Sequence, residues 1–146
     1  MKKTLNAILF ILLLSAAILA YGIVTSRMAL TSALAFPESG LEVTVWVPDS
    51  QKKAVLDAGQ IDELTGLLAR VGMGGQEEAP KASSLTAEYR AFSITVTGDG
   101  YGTHEFLFLG ATGQGYLVRG ARDVRLTGCG EICAFLETVE LAETGE

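Results

Sequence analysis

An uninterrupted apolar run of 20 residues, from Leu5 to Val24, constrains this chain more than any other feature. No charged side chain interrupts it, and as an α-helix it would extend about 30 Å, the thickness of the hydrocarbon core of a bilayer. The apolar region of a secretory signal is usually shorter, about 7–15 residues. Lys2 and Lys3 precede the run and only Arg27 closely follows it. The positive-inside rule therefore predicts a single-pass anchor in the cell membrane, with a cytoplasmic N-terminus and an extracytoplasmic remainder.

The fate of this segment has alternatives. Ala33-Leu34-Ala35 has the small-x-small pattern that signal peptidase accepts, so cleavage near Ala35 would release a secreted protein. Because this pattern lies beyond Arg27, and a cleavage region is normally short and uncharged, a retained anchor is favoured. No Pro or Gly occurs in 25–35, so the helix can continue past the membrane until Pro37 ends it. A buried helix of a soluble domain is disfavoured, because so small a domain cannot surround 20 apolar residues.

The rest of the chain is strongly acidic. Residues 36–146 contain 8 basic and 17 acidic side chains, a net charge of −9, although the whole chain has a net charge of −6 and a mean hydropathy of +0.34. This charge argues against nucleic-acid binding, which depends on surplus Lys and Arg. The predicted organisation is a cytoplasmic tip, transmembrane anchor and juxtamembrane helix in 1–35, a linker in 36–40, an extracytoplasmic α+β domain in 41–142 and a tail in 143–146.

The first half of the domain has a strand-then-helix pattern. Alternating apolar residues predict a strand over 41–47, and a short second strand, Ala54–Leu56, pairs back after a turn. Asp57 and Gln60 stand three apart, as in a capping box, before apolar residues at helical spacing. Gly72 is expected to end this helix in the left-handed conformation.

The second half predicts a meander. The polar stretch from 74 to 86 has no periodicity and is expected to be a loop. Four strands then follow, of which Glu105–Leu109 is apolar on both faces and is therefore expected to be central or covered on two sides. The last two are joined at Gly120-Ala121 by a type II′ hairpin. A last helix begins near Cys129 and frays into 140–146. The predicted fold is an antiparallel sheet covered by two helices in a two-layer α+β domain.

Cys129 and Cys133 are the only cysteines. Three alternatives remain open for them: free structural thiols, a local disulfide, which an extracytoplasmic site permits, or a redox or metal function. Redox enzymes usually have Cys-x-x-Cys, and the spacing here is one residue longer. A zinc site would need two further ligands, so neither a metal nor a cofactor is predicted.

Two further candidates are surface groups. Arg119, Arg122 and Arg125 form the basic cluster of the acidic domain and could meet an anionic partner, such as a wall polymer or a lipid headgroup. In a regular strand Arg122 and Arg125 would point in opposite directions, so a solvated hairpin is the simpler interpretation. His104 is the only histidine, and no Gly-x-Ser-x-Gly elbow accompanies it, so a histidine at the surface end of a strand is favoured over a catalytic triad.

The layout resembles a group of small signal-anchored extracytoplasmic proteins of Gram-positive, clostridial-type bacteria, which are domains of unknown function. The resemblance rests on the lysine-led apolar start and on three patterns: Ile61-Asp-Glu-Leu64-x-x-Leu67-Leu68, Tyr89-x-x-Phe92-x-Ile94 and Ile132-x-x-Phe135-Leu136. It implies no catalytic residues. The favoured function is a non-enzymatic, membrane-anchored module that binds or senses a protein or cell-envelope partner.

Two other functions remain open from the sequence. After cleavage near Ala35 the chain would be a secreted inhibitor or immunity-type protein. A thiol oxidoreductase would use Cys129 and Cys133 as its redox pair.

Overall fold

A long N-terminal helix precedes an antiparallel sheet and two shorter helices in the computed structural model, which describes residues 1–120, 122–139 and 141–143. The predicted α+β class and N-terminal apolar helix are confirmed. The helices are α1 (Lys2–Leu34), α2 (Ala58–Leu68) and α3 (Gly130–Thr138). The strands are β1 (Glu42–Val47), β2 (Lys52–Val55), β3 (Gly72–Gln76), β4 (Ala91–Gly98), β5 (Gly102–Leu109), β6 (Gln114–Val118), β7 (Val124–Thr127) and β8 (Ala142–Glu143).

The strands form one antiparallel sheet in the order β3-β7-β6-β5-β4-β1-β2-β8. The meander from β4 to β7 and the central position of β5 agree with the predictions. Leu107 and Leu109 on one face of β5 are buried, and so are Phe106 and Phe108 on the other. The sheet is larger than the six strands of the predicted two-layer domain, because β3 and β8 add one strand at each edge.

The segment after α2 differs from its prediction. Gly72 does not adopt a left-handed conformation at the helix end but begins β3, and it pairs with Thr127 of β7. The helix itself begins as predicted, since the Asp57 carboxylate accepts a 2.8 Å hydrogen bond from the Gln60 amide and the Gln60 side chain accepts one from the Asp57 amide. A glycine-rich strand has no alternation of apolar and polar side chains, so β3 gives no period-two signal in the sequence. Its strand conformation is instead supported by pairing with the edge of β7.

One face of the sheet is covered by α2, α3 and the last turns of α1. The buried residues of α1 are Ser26, Leu30 and Ala33, which form a single stripe at helical spacing. Phe36 and Leu41 also pack against this core, and α1 lies against β3. The segment predicted as a juxtamembrane helix therefore contributes to the core of the domain. It ends at Leu34, before Pro37, as expected.

The other face of the sheet is partly covered by the segment 77–90, which contains residues 77–86 of the expected loop, whereas residues 74–76 of that loop belong to β3. Ala79 and Leu85 of this segment are buried against Leu107 and Tyr116. Buried Asp123 fastens it, because one carboxylate oxygen accepts a 2.9 Å hydrogen bond from the Ala79 amide. The segment is therefore a second covering layer, held in place although it has only two short 3₁₀ turns.

The connection between β6 and β7 is closed by the same aspartate. The other Asp123 oxygen accepts hydrogen bonds from the amides of Arg119, at 2.6 Å, and Gly120, at 3.1 Å. Gly120 has a φ of 86°, as its place in the predicted hairpin requires. Residue 121 of that hairpin and residues 140 and 144–146 of the predicted fraying end lie outside the described residues, whereas Glu143 pairs with Lys52.

Candidate functional site

An open pocket of about 450 Å³ lies at one corner of the domain, where β1 turns into β2 and the chain passes from the second 3₁₀ turn into β4. We call it the Arg90 pocket. Its apolar lining residues are Val47, Ala87, Ala91, Phe92, Leu136, Val139 and Leu141. Its polar lining residues are Asp49, Ser50, Lys52, Thr86, Arg90 and Glu137. An apolar concavity with a few converging polar groups is the usual form of a ligand site.

Arg90 organises the wall of this pocket. Its guanidinium donates a 2.7 Å hydrogen bond to the Glu137 carboxylate at the end of α3 and a 3.0 Å hydrogen bond to the carbonyl of Gly110. About half of the Arg90 side chain stays exposed, at 54%, so guanidinium donors remain available on the pocket side. Arg90 thereby joins three separate parts of the chain at one edge of the cavity.

Backbone strain is concentrated at the same corner. Among the described residues, Gln51 and Arg90 are the two non-glycine residues with positive φ, at 56° and 48°. Gln51 lies in the turn between Ser50 and Lys52, both of which line the pocket. The left-handed conformation costs about 1–2 kcal/mol for an ordinary residue and is retained where the surrounding structure demands it.

The chemistry of the pocket suits binding. Arg90 and Glu137 form an ion pair in the lining, which also contains the charged side chains Lys52 and Asp49 beside the apolar ones. A ligand with an apolar body and a polar or charged end would satisfy both parts. None of these residues was singled out by the sequence, and Glu137 is separated from Arg90 by 47 positions, so only the fold brings them together.

The strain at Arg90 predicts an unusual order of stabilities. Arg90→Ala and Arg90→Gly both lose the ion pair, but only glycine relieves the left-handed backbone, so Arg90→Gly should be the more stable by about 1 kcal/mol. Urea denaturation measures the difference. The matched control is Glu63 in α2, where the order should reverse because glycine weakens a helix relative to alanine. An alanine variant equal to or more stable than the glycine variant at position 90 would contradict the strain.

A second, smaller groove of about 290 Å³ lies on the other face of the sheet, and we call it the Trp46 groove. The single tryptophan, Trp46, lines it with Glu78, Lys81, Ser93 and Glu105, among others. Ser93 donates a 3.2 Å hydrogen bond to the Glu105 carboxylate. Trp46 is half-buried in β1, so its emission can report changes on this face.

The predicted arginine cluster is placed as follows. Arg125 lies on β7 and pairs with Glu77 at 3.7 Å. Arg119 and Arg122 are exposed in the connection between β6 and β7, and neither lines the Arg90 pocket or the Trp46 groove. Asp123, the expected acidic neighbour, is engaged by backbone amides instead. Anion binding by this cluster stays a prediction.

His104 lies on β5, half-buried, and not simply at the surface. Its ring lies 4.5 Å from that of Tyr101 between centroids, at an interplanar angle of 50°, and the Tyr101 ring in turn lies 5.8 Å from that of Phe36. The Tyr101 hydroxyl donates to the carbonyl of Ala33 at the end of α1, and burial raises the pKa of Tyr101 to about 12. This aromatic group therefore joins the end of α1 to the sheet.

Cys129 and Cys133 are free thiols in the structure, not a disulfide, and both are buried at the start of α3. Burial, reinforced by Cys133, raises the pKa of Cys129 to about 12. Burial also raises the pKa of Cys133, and the nearby Glu137 carboxylate adds to that rise. A redox nucleophile needs the opposite, a lowered pKa and access, so these thiols have the character of core residues.

The raised pKa of Cys129 predicts slow alkylation. Compared with a thiol of pKa 9.0, a pKa of about 12 lowers the thiolate fraction at pH 8 about 1000-fold, so iodoacetamide should react far faster in urea than in the folded protein. The folded thiol stays protonated while the unfolded one ionises, so this contribution to stability is complete below pH 9 and is lost as pH rises towards 12. Rapid alkylation of the folded protein with a pKa below 8 would instead support the oxidoreductase hypothesis.

Among the described residues, no group of three or more His, Cys, Asp or Glu side chains is arranged to hold a metal ion. Comparison with protein-family profiles, curated proteins and solved structures finds no match to this chain.

Proposed function

We propose that this chain is a single-pass membrane protein that holds a non-enzymatic binding domain on the outer face of the cell membrane. The proposal rests on the two roles of α1, which is an apolar helix of membrane-spanning length and also contributes to the domain core. Residues 1–21 are exposed and mostly apolar after the lysine-led start, and the helix is long and apolar enough to cross a bilayer. Its last turns contribute Leu30 and Ala33 to the domain core.

These two roles of α1 favour a retained anchor over a cleaved signal. Cleavage near Ala35 would separate Leu30 and Ala33 from the core residues that they contact, and would remove the acceptor of the Tyr101 hydroxyl. The secreted inhibitor or immunity-type protein is therefore the weaker alternative. The thiol oxidoreductase is disfavoured by the burial and raised pKa of Cys129.

The position of the Arg90 pocket suits a domain that faces away from the membrane. The helix α1 passes β3 at one edge of the sheet, whereas the pocket is formed by β1, β2 and β4 on the other side. Five strand spacings separate β3 from β1, which is about 24 Å. A ligand of the pocket would therefore approach from the side opposite the anchor.

Membrane fractionation and mass spectrometry test this proposal. The chain should stay in the membrane after extraction with alkaline carbonate and should retain residues 1–35. Protease added to intact cells should digest the domain, provided that Lys2 and Lys3 keep the N-terminus inside. A soluble chain that begins near Phe36 would refute the anchor, and full protection of the domain in intact cells would refute the orientation.

A further inference from the structure

A groove of about 330 Å³ lies between α1 and the edge strand β3, and we call it the anchor groove. Its α1 residues are Ile18, Leu19, Gly22, Ile23 and Ser26. Its β3 residues are Met73, Gly75 and Gln76. No lining residue is charged. The groove therefore differs from the Arg90 pocket, where charged side chains surround the opening.

The groove lies where the predicted membrane span ends. Ile18 and Leu19 belong to the apolar run and are 63% and 68% exposed, so most of their surface has no protein neighbour. Ser26 lies two residues beyond the run. Along a spanning helix, this is the level at which acyl chains give way to the ester groups of the bilayer interface.

A buried polar group at the groove lacks a partner. Ser26 is 1% exposed, and among the described residues its hydroxyl has no hydrogen-bond partner. The neighbouring Thr25 satisfies its own hydroxyl on the carbonyls of Tyr21 and Gly22, at 2.9 and 3.1 Å. An unsatisfied buried hydroxyl costs about 1–3 kcal/mol. A polar group that enters the groove and hydrogen-bonds to Ser26 would remove this cost.

The strand that forms the other wall is bare and uncharged. Three of its five residues are glycines, and β3 pairs only with β7, so its outer edge carries free backbone groups. Gly22 on α1 faces it, and a Cβ at this position would lie 3.8 Å from the Gln76 amide oxygen. Missing side chains on both walls therefore create the space.

We propose that a membrane phospholipid occupies the anchor groove. Its acyl chain lies along Ile18 and Leu19, and its ester groups lie beside Ser26 and Gln76. The occupant is a lipid because the groove opens at the depth of the bilayer interface and is lined without charge. For the same reason no preference among headgroups is expected. This inference rests on the proposed function, since it requires α1 to span the membrane.

Photo-crosslinking of the full chain in vesicles of phosphatidylethanolamine and phosphatidylglycerol tests the proposal. Benzoyl-phenylalanine is placed at Gln76 in the groove, at Leu12 in the middle of the span and at exposed Thr95 on β4. Mass spectrometry should find lipid adducts at positions 12 and 76 and none at 95. Adducts at 12 without adducts at 76 overturn the lipid site but leave the anchor intact. No adduct at 12 refutes the anchor itself.

A variant that fills the groove separates specific occupancy from mere proximity to lipid. With the probe at Gln76, Gly22→Leu should lower the yield of lipid adduct at least tenfold, because the new side chain projects toward β3. Ala20→Leu adds the same side chain to α1 at a position that does not line the groove, and should leave the yield unchanged. An unchanged yield in Gly22→Leu overturns the proposal, as do adducts between two protein chains in place of lipid.

Discussion

Deleting residues 1–24 should leave a domain that unfolds cooperatively, whereas deleting residues 1–35 should abolish cooperative unfolding. The longer deletion removes Leu30 and Ala33, which are 7% and 0% exposed. Truncating one buried leucine to alanine costs about 2–5 kcal/mol, and the longer deletion removes two more turns of helix with it. Small domains have only about 5–15 kcal/mol of stability in total. Circular dichroism during thermal unfolding of the two purified fragments measures the difference.

Two finer measurements identify the cause: a pair of substitutions in the fragment that retains residues 25–146, and the pKa of Tyr101 in the fragment that lacks residues 1–35. Leu30→Ala should lower the free energy of unfolding by at least about 2 kcal/mol, whereas Met28→Ala, at a position that is 66% exposed, should change it by less than about 0.5 kcal/mol. In the longer deletion the pKa of Tyr101 should fall from about 12 toward 10.0, because the end of α1 no longer buries it. Equal stability of the two fragments would show that α1 is only a tether.

Replacing Gly115 should be the most damaging single change in the sheet. A Cβ at this position would lie 2.6 Å from the sulfur of Cys129 and 2.8 Å from two ring carbons of Phe108. Both neighbours are buried, so neither can move aside without disturbing the core between β5, β6 and α3. Overpacking of this kind costs about 1–3 kcal/mol and occasionally more. We expect Gly115→Ala to lose about 3 kcal/mol and Gly115→Val to fail to fold.

The control for this prediction is Gly66→Ala in α2. No heavy atom lies within 4 Å of a Cβ at that position, and alanine is the better helix former by about 1 kcal/mol. The same chemical change should therefore stabilise the protein at 66 and destabilise it at 115, as measured by urea denaturation. A double variant, Gly115→Ala with Cys129→Ala, should recover part of the loss, since it removes the sulfur. A Gly115→Ala protein as stable as the parent would show that α3 does not pack on β6 in this way.

Local patterns predicted the elements that carry their own signals. Alternation in β1 and β4, the capping box at Asp57 and the apolar spacing of α3 each reflect which side of an element is buried, and burial dictates residue type directly. The glycine-rich β3 carries no such pattern, and neither does the two-residue β8. Both form by pairing with an edge strand of the sheet, β3 with β7 and β8 with β2.

Site residues were harder to predict for a related reason. The Arg90 pocket joins Arg90 to Glu137 across 47 positions, and neither residue belongs to a recognisable motif. The left-handed φ of Arg90 has no signal in the sequence, because arginine has no intrinsic preference for that conformation. The stripe of Ser26, Leu30 and Ala33 does have helical spacing, but the apolar run before it masks the change from exposed to core-facing residues.

By itself the sequence determined the apolar N-terminal helix, the acidic α+β domain behind it and most of the strands, because these follow from the local spacing of apolar, charged and turn-forming residues. Only the tertiary structure decided that the last turns of α1 enter the core, that 77–90 covers the second face and that a pocket forms around Arg90. Each of these depends on contacts between distant parts of the chain. The free energy of such contacts comes from the surface that two segments bury against each other, and local sequence patterns do not show which segments meet.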